Sequence, residues 1–416
     1  MSASVLHPRL ARPRLEMALQ DSPVVLLHGP RQCGKTTLAQ VVGAARGFTY
    51  YTFDDAVTLA AATADPVGFV DDLPDRVVLD EIQRAPALFT SIKRSVDRDR
   101  RPGRFLLTGS ANVLLVPSLA DSLAGRMEIV RLHPLARAEV AGDAPHFLDS
   151  LFAGAFTARP YERLRDGLAE RITGGGYPAA LARSSARRRA TWYRDYVESL
   201  VQRDVRDLAR IRALDAIPRL LDMAASQTAR VVNVAELGAP LQLSRPTIAE
   251  YLTLLERVFL VERLQPWHHN RLSRLIKTPK LHLTDTGVAC AVLGLDADAL
   301  AADRGTLGQL LESFVVQELR REASGRDDDI RFHHFRDRDG VEVDLILEQG
   351  GRRVAGVEVK ASATVTAADF RALAKVRDTV GARFAAGVVL YDGESSLRFG
   401  DRMFAVPIRA MWDLSA

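Results

Sequence analysis

Gly29 and Gly34, followed by Lys35 and Thr36, fit the spacing G-x-x-x-x-G-K-[ST], and the apolar run Val24-Val25-Leu26-Leu27 stands directly before them. The turn from Gly29 through Pro30, Arg31, Gln32, Cys33 and Gly34 would aim backbone N–H groups at a polyphosphate. Lys35 adds a mobile positive charge for the outer phosphates, and Thr36 a hydroxyl for Mg²⁺. Thr37 and the helix-compatible residues after it would set the same phosphates at a helix N-terminus, where the macrodipole favours an anion. The chemistry implied is binding of a nucleoside triphosphate, ATP with Mg²⁺.

Hydrolysis needs acids as well. Arg76-Val-Val-Leu-Asp80-Glu81 is a short apolar strand ending in two carboxylates, at the tip where open α/β sheets place their ligands. Asp80 would hold Mg²⁺ through its water shell, and Glu81 would orient and polarise the attacking water, since phosphoryl transfer depends on positioning and charge stabilisation. Farther on, Leu123-Ala-Gly-Arg126 sets an arginine after a glycine turn. Arg126 reads either as a finger for a neighbouring subunit's site, worth roughly 10³ to 10⁵ in rate where such fingers operate, or as a surface ion pair.

A second group of charged residues lies near the C-terminus. Val341-Glu-Val-Asp-Leu-Ile-Leu347 alternates, which predicts Val341, Val343, Leu345 and Leu347 on one face and Glu342 and Asp344 on the other. In Val357-Glu-Val-Lys360, Glu358 and Lys360 share a face in the same way, and the glycines of Glu348-Gln-Gly-Gly-Arg-Arg353 allow the two strands to pair as a hairpin. Asp344, Glu358 and Lys360 then resemble the Asp, Glu-x-Lys signature of restriction-endonuclease-like folds. There the acids bind Mg²⁺ and the lysine positions the attacking water. Glu312 on the preceding helix could complete the metal site. The chain departs from the signature in having Glu342-Val-Asp344 where Pro-Asp opens it, and a half-exposed hairpin with its charges outward reads equally well. His282, His333 and His334 lack a matching ligand spacing and read as packing or surface residues.

These residues must be positioned by several folded units. The 416 residues and 47% hydrophobic content suit about two to four domains with ordinary cores. No run of about 18 apolar residues suggests a membrane span, and the N-terminus lacks the apolar segment of a secretory signal. Two cysteines exclude a disulfide framework, so a reducing, cytoplasmic setting is expected. The net charge of +4 is small, but arginines cluster at 93–104, 183–194 and 263–280. Such runs suit a nucleic-acid footprint or a solvated helix face.

The expected divisions are a nucleotide-binding core over 1–144, a helical lid over 145–215, a winged-helix-like part over 216–268 and a nuclease-like part over 269–416. Tyr196, Val197, Leu200, Val201, Val205 and Leu208 recur at helical spacing in the second. In the third, Ser244 caps a helix with Pro246 in its first turn, and Arg245, Thr247 and Arg257 are candidate DNA contacts.

The whole order resembles a family. Gly-Lys-Thr-Thr-Leu38, Leu-Asp-Glu-Ile-Gln83, Leu-Leu-Thr-Gly-Ser110, Leu-Ala-Gly-Arg126 and Leu-His-Pro-Leu135 with Glu139 resemble the AAA-family ATPases of the AAA_14 type, which carry a C-terminal domain called DUF4143. Gly175-Gly176-Tyr177-Pro178, Gln202-Arg203-Asp204, Lys277-Thr-Pro-Lys280, Asp285-Thr-Gly287, Gly308 with Glu312-Ser-Phe-Val315, Glu342-Val-Asp344 and Val357-Glu-Val-Lys360 agree with it. The resemblance implies an α/β fold with an AAA-type core, a helical lid, a winged helix and a restriction-endonuclease-like domain. It implies Ser110 and Asn112 as sensor residues between the nucleotide strands, and a sensor arginine or an exposed face at Arg203. Cys33 stands where relatives are expected to have an aliphatic residue, as a small filler or an oxidisable group. The function expected is a Mg²⁺-dependent ATPase acting on DNA as a homo-oligomer, a ring or a smaller assembly. A metal-dependent nuclease regulated by ATP and a protein-interaction switch are the alternatives, with RNA or a protein client in place of DNA.

Overall fold

The computed structural model describes residues 6–110, 123–205, 215–267 and 278–413. The first unit is a parallel sheet of β1 (Val24–His28), β2 (Thr49–Thr52), β3 (Val77–Asp80), β4 (Phe105–Gly109) and β5 (Met127–Arg131), in the order β2-β3-β4-β1-β5. β1 and β4 are buried along their whole length, which is why they read as unbroken apolar runs. Strand alternation sends Leu26, Leu79 and Leu107 into one core with Phe53 and Phe89. It sends Val25, Leu27, Val78 and Leu106 into the other, under helices α1 (Arg12–Asp21) and α2 (Lys35–Ala45). β4 lies between β1 and β3, so the tips carrying residues 29–36, 80–81 and 110 lie together at one end of the sheet.

After this sheet the chain turns helical, with Phe147–Ala153, Asp166–Gly174, Pro178–Leu181 and α3 (Ala186–Ser199), which runs on into a π-helical turn at Leu200–Val205. A small antiparallel unit follows: α4 (Ala216–Ser226), β6 (Arg230–Val231), α5 (Val234–Gly238), α6 (Arg245–Arg257), β7 (Val261–Leu264) and β8 (Lys280–Leu283), with sheet order β6-β8-β7. The Ser244 side chain caps α6 by accepting from the Thr247 amide, and Pro246 sits in the first turn, where its missing N–H costs nothing.

Helix α7 (Arg304–Ala323) leads into the third sheet, formed by β9 (Ile330–Arg336), β10 (Glu342–Gln349), β11 (Arg353–Lys360), β12 (Phe384–Tyr391), β13 (Leu397–Gly400) and β14 (Met403–Pro407). Its order is β13-β14-β12-β11-β10-β9, with β9, β10 and β11 an antiparallel meander and β12 and β14 parallel to β11. β10 and β11 pair as the glycine turn predicts, with Leu345 opposite Val357. The simple alternation expected over Val341–Leu347 fails at Asp344. There the register with β9 slips between Val343 and Ile346, so Val343 joins Ile346 and Val354 in one core while Leu345 and Leu347 pack in the other. A bulge of this kind inserts one residue and re-aims its side chain.

The units share buried contacts. The helix Phe147–Ala153 packs on β12. Arg321 of α7 donates from Nη1 to the Leu135 carbonyl at 3.0 Å and from Nη2 to Asp285 at 3.1 Å, and Asp285 accepts the Gly176 amide at 2.8 Å. One guanidinium thereby ties the first sheet, the helical segment and the C-terminal unit. No helix among the described residues is long and apolar enough to cross a membrane.

Candidate functional site

Residues 29–36 leave the tip of β1 and close into α2. A Cβ at Gly29 would meet the Leu132 carbonyl oxygen at 2.0 Å, so only glycine lets the loop pass β5. Gly34 adopts φ 101°, the left-handed turn from which α2 starts. Buried Lys35 donates from Nζ to the carbonyls of Gly29 at 3.1 Å and Pro30 at 2.8 Å, so its ammonium lies over the mouth of the loop. Gln32 also has a positive φ, 61°. Cys33 is fully buried, and burial raises its thiol pKa, so it is a packing residue with little thiolate.

The acids converge on this loop. Thr36 Oγ1 lies 3.1 Å from both carboxylate oxygens of Asp80, at the end of β3. Tyr50 donates its hydroxyl to Asp80 at 2.8 Å, and Thr108 also donates to Asp80. Glu81 takes a left-handed backbone (φ 57°, ψ 44°), which turns its side chain away from the strand axis. Ser110 Oγ donates to Glu81 Oε2 at 3.0 Å, and Gln83 Nε2 reaches both Glu81 and Ser110. Lys35, Thr36, Asp80, Glu81 and Ser110 thus form one polar cluster; Asn112 lies outside the described residues.

Three residues around this cluster make contacts that the motifs did not foretell. Arg9 donates to the Cys33 carbonyl at 2.7 Å and the His133 carbonyl at 2.6 Å, and pairs with Glu139 at 3.1 Å, bracing the phosphate loop from behind. Arg31 turns out of the loop, its Nε 2.6 Å from Asp204, while Tyr196 donates to the Arg31 carbonyl at 3.2 Å. Gln83 holds Glu81. Arg31, Gln83 and Asp204 stand in the sequence motifs, whereas Arg9 had no signal. A cavity of about 490 Å³ opens beside the loop between Leu6, Pro8, Thr37, Val41, Leu135 and Pro178.

Arg126 precedes β5, whose Met127 is level with Val24 at the start of β1, so it lies at the opposite end of the sheet from its own phosphate loop. It pairs there with Asp97 at 2.6 Å.

The small unit docks on the first sheet near the site. Phe259 packs edge-on against His28, the last residue of β1, with ring centroids 5.7 Å apart, and Arg131 lies over the same ring. Glu262 faces Arg131 at 3.5 Å and Arg320 at 3.1 Å. Burial works against its charge, but the two guanidinium groups outweigh that and hold its pKa down at about 2.

In the C-terminal unit, Glu312, Asp344, Glu358 and Lys360 also come together, around a fifth residue. Lys280, at the start of β8, is 1% exposed, with Nζ 2.7 Å from Glu312, 2.6 Å from Glu342 and 3.4 Å from Asp344. Asp344 accepts the Val359 amide at 2.9 Å, and Lys360 pairs with Glu358 at 2.9 Å. Burial and then Asp344 push Glu358 up to about 7, and the same two causes raise Glu312 well above the carboxylate range. Among the described residues no three His, Cys, Asp or Glu side chains form a group able to hold a metal ion.

Comparison with known proteins gives three matches along the chain. Residues 21–141 match the AAA domain model, 307–411 a domain of unknown function, DUF4143, and 165–299 another, DUF8612. The uncharacterized protein Rv2008c of Mycobacterium tuberculosis is 32% identical over 408 residues, covering 98% of this chain and 85% of that protein, and Mb2031c of Mycobacterium bovis matches equally. Among solved structures, the Walker-type ATPase paby2304 of Pyrococcus abyssi superposes with a TM-score of 0.41 at 16% identity, covering 69% of this chain and 96% of that one. The Thermotoga maritima RuvB Holliday junction branch migration motor gives 0.28 at 18%, covering 61% and 88%. Both superpose too loosely to carry a functional argument. The phosphate loop, the acid pair beside it and a relative matched across nearly the whole chain place this protein in the family of AAA-type P-loop ATPases that end in a DUF4143 domain.

Proposed function

We propose that the protein is a Mg²⁺-dependent ATP hydrolase that binds and remodels DNA, working as a homo-oligomer. The polyphosphate would lie over residues 29–36, with the base in the apolar cavity beside Pro8 and Val41. Thr36 and Asp80 supply the hydroxyl and carboxylate oxygens that Mg²⁺ prefers, and they already lie 3.1 Å apart. The ion, when bound, neutralises charge on the phosphate oxygens. Lys35 moves from the loop carbonyls to the outer phosphates, and Glu81, released by Ser110 and Gln83, orients the water.

DNA is read through the small antiparallel unit. Helix, strand, two helices and a hairpin with sheet order β6-β8-β7 is a winged-helix arrangement, in which α6 is the groove-reading element, led by the exposed Arg245. The single observation that carries the reading is that this unit rests on the tip of β1. Phe259 meets His28 one residue before the phosphate loop, so a change at the nucleotide has a direct path to the DNA-facing helix. Arg126, too far from its own loop, is the candidate to reach a neighbour's.

The test is ATP turnover with and without duplex, single-stranded and branched DNA. Stimulation by DNA, abolished in Lys35→Ala and lost in Arg245→Glu, supports the reading. Turnover indifferent to every nucleic acid overturns it and leaves a protein client.

A further inference from the structure

The carboxylates that resemble a nuclease metal site do not fit a metal here. A divalent ion bound by Glu312, Asp344 and Glu358 would need the space among those oxygens, with Mg²⁺ about 2.1 Å from each ligand. Lys280 Nζ stands between two of them, 2.7 Å from Glu312 and 3.4 Å from Asp344, and also lies 2.6 Å from Glu342. The lysine comes from a different unit. β8 is hydrogen-bonded to both β6 and β7, Val231 and Leu264 flanking Lys280, so the ammonium is delivered by the backbone of the winged-helix-like sheet.

We propose that Lys280 is the resident cation of this cluster, making the C-terminal site a metal-free clasp between the winged-helix-like unit and the DUF4143 domain, which holds DNA without cutting it. The inference rests on the reading of that domain as nuclease-like and DNA-binding. The charges support it. Glu312, Glu342 and Asp344 face Lys280, and Glu358 faces Lys360, so each of the four acids already has an ammonium partner. A divalent cation drawing those oxygens to itself would leave the buried Lys280 ammonium without its partners, and an unpaired buried charge is strongly unfavourable. Arg230 and Arg336 line the cavity at the cluster's edge, about 450 Å³ in volume, and add positive charge where a phosphate backbone could approach.

The experiment is titration of the nucleotide-free full chain with Mn²⁺, followed by loss of the free-ion signal in electron paramagnetic resonance. The wild type is expected to show no stoichiometric site that depends on Asp344. Lys280→Ala, with its folding checked by circular dichroism, is expected to gain one bound equivalent, removed again in Lys280→Ala/Asp344→Asn. A stoichiometric site in the wild type that disappears in Asp344→Asn overturns the proposal, as does a folded Lys280→Ala that binds no ion. The Asp344→Asn comparison in the wild-type background decides the matter even if Lys280→Ala does not fold. If the domain does not hold DNA at all, that shows separately, as DNA affinity unchanged by Arg230→Glu and Arg336→Glu.

Discussion

Arg31, in the middle of the phosphate loop, sets its guanidinium against Asp204, 2.6 Å away in the π-helical turn. The helical segment thus holds the loop by a side chain, and through Tyr196 by a main-chain carbonyl as well. π-Turns recur at functional sites, and this one supplies the contact.

Asp204→Asn is expected to keep the fold and to weaken MgATP binding. The pair is partly exposed, with side chains 34% and 14% accessible, so its worth is discounted to about 1 kcal/mol, roughly fivefold in affinity. Tyr196→Phe should act in the same direction. Fluorescent-nucleotide titration measures both, and affinities equal to wild type in the two variants would show the contact to be incidental.

Glu81 is the residue whose loss should separate binding from turnover. Its carboxylate is held by Ser110 and Gln83 and lies outside the Thr36–Asp80 pair. Glu81→Gln is expected to lower turnover by at least about 10²-fold, the usual worth of a general base, with MgATP affinity little changed. Ser110→Ala should shift turnover less and leave binding intact. An Asp80→Asn variant, by contrast, should lose Mg²⁺-dependent affinity. A Glu81→Gln enzyme that hydrolyses ATP at half the wild-type rate would remove Glu81 from its role.

Arg321 is a structural bet. Its guanidinium is buried among Glu318, Asp285 and the Leu135 carbonyl, all within 3.1 Å. Removing it strands two buried carboxylates, and breaking such a network costs about 3–5 kcal/mol. Urea unfolding of Arg321→Ala should show that loss. Its absence would mean that the neighbouring acids take up protons cheaply.

How much of this could be read from the chain depended on distance along it. The phosphate loop is contiguous, its chemistry is carried by eight adjacent positions, and the apolar runs of β1 and β3 mark the strands that aim it. The hairpin of β10 and β11 is equally local, closed by two glycines. The bulge at Asp344 was not legible, because it exists only in the register with β9. Arg9, Tyr50 and Lys280 reach their partners across 130, 30 and 64 residues, from positions that no periodicity distinguishes. Lys280 in particular stood in a quoted motif with nothing to say that its ammonium would meet Asp344.

Glu322 gives the chain a pH dependence of known sign. It is buried at the end of α7, where it accepts the Leu148 amide at 2.8 Å, and Arg326, Asp149 and Glu318 are the charged groups that act on it. Burial pushes its pKa from 4.5 up to about 8. The folded chain therefore keeps a proton that the unfolded chain gives up between those values. The stability this contributes is full below pH 4.5 and is lost as pH rises toward 8. The slope from this one group approaches about 1.4 kcal/mol per pH unit within that window. Glu322→Gln keeps the acceptor oxygen and cannot ionise, so the difference between variant and wild type should widen in the variant's favour from pH 5 to pH 8. Urea midpoints taken across that range decide it, and parallel curves would mean that Glu322 is ionised in the folded chain.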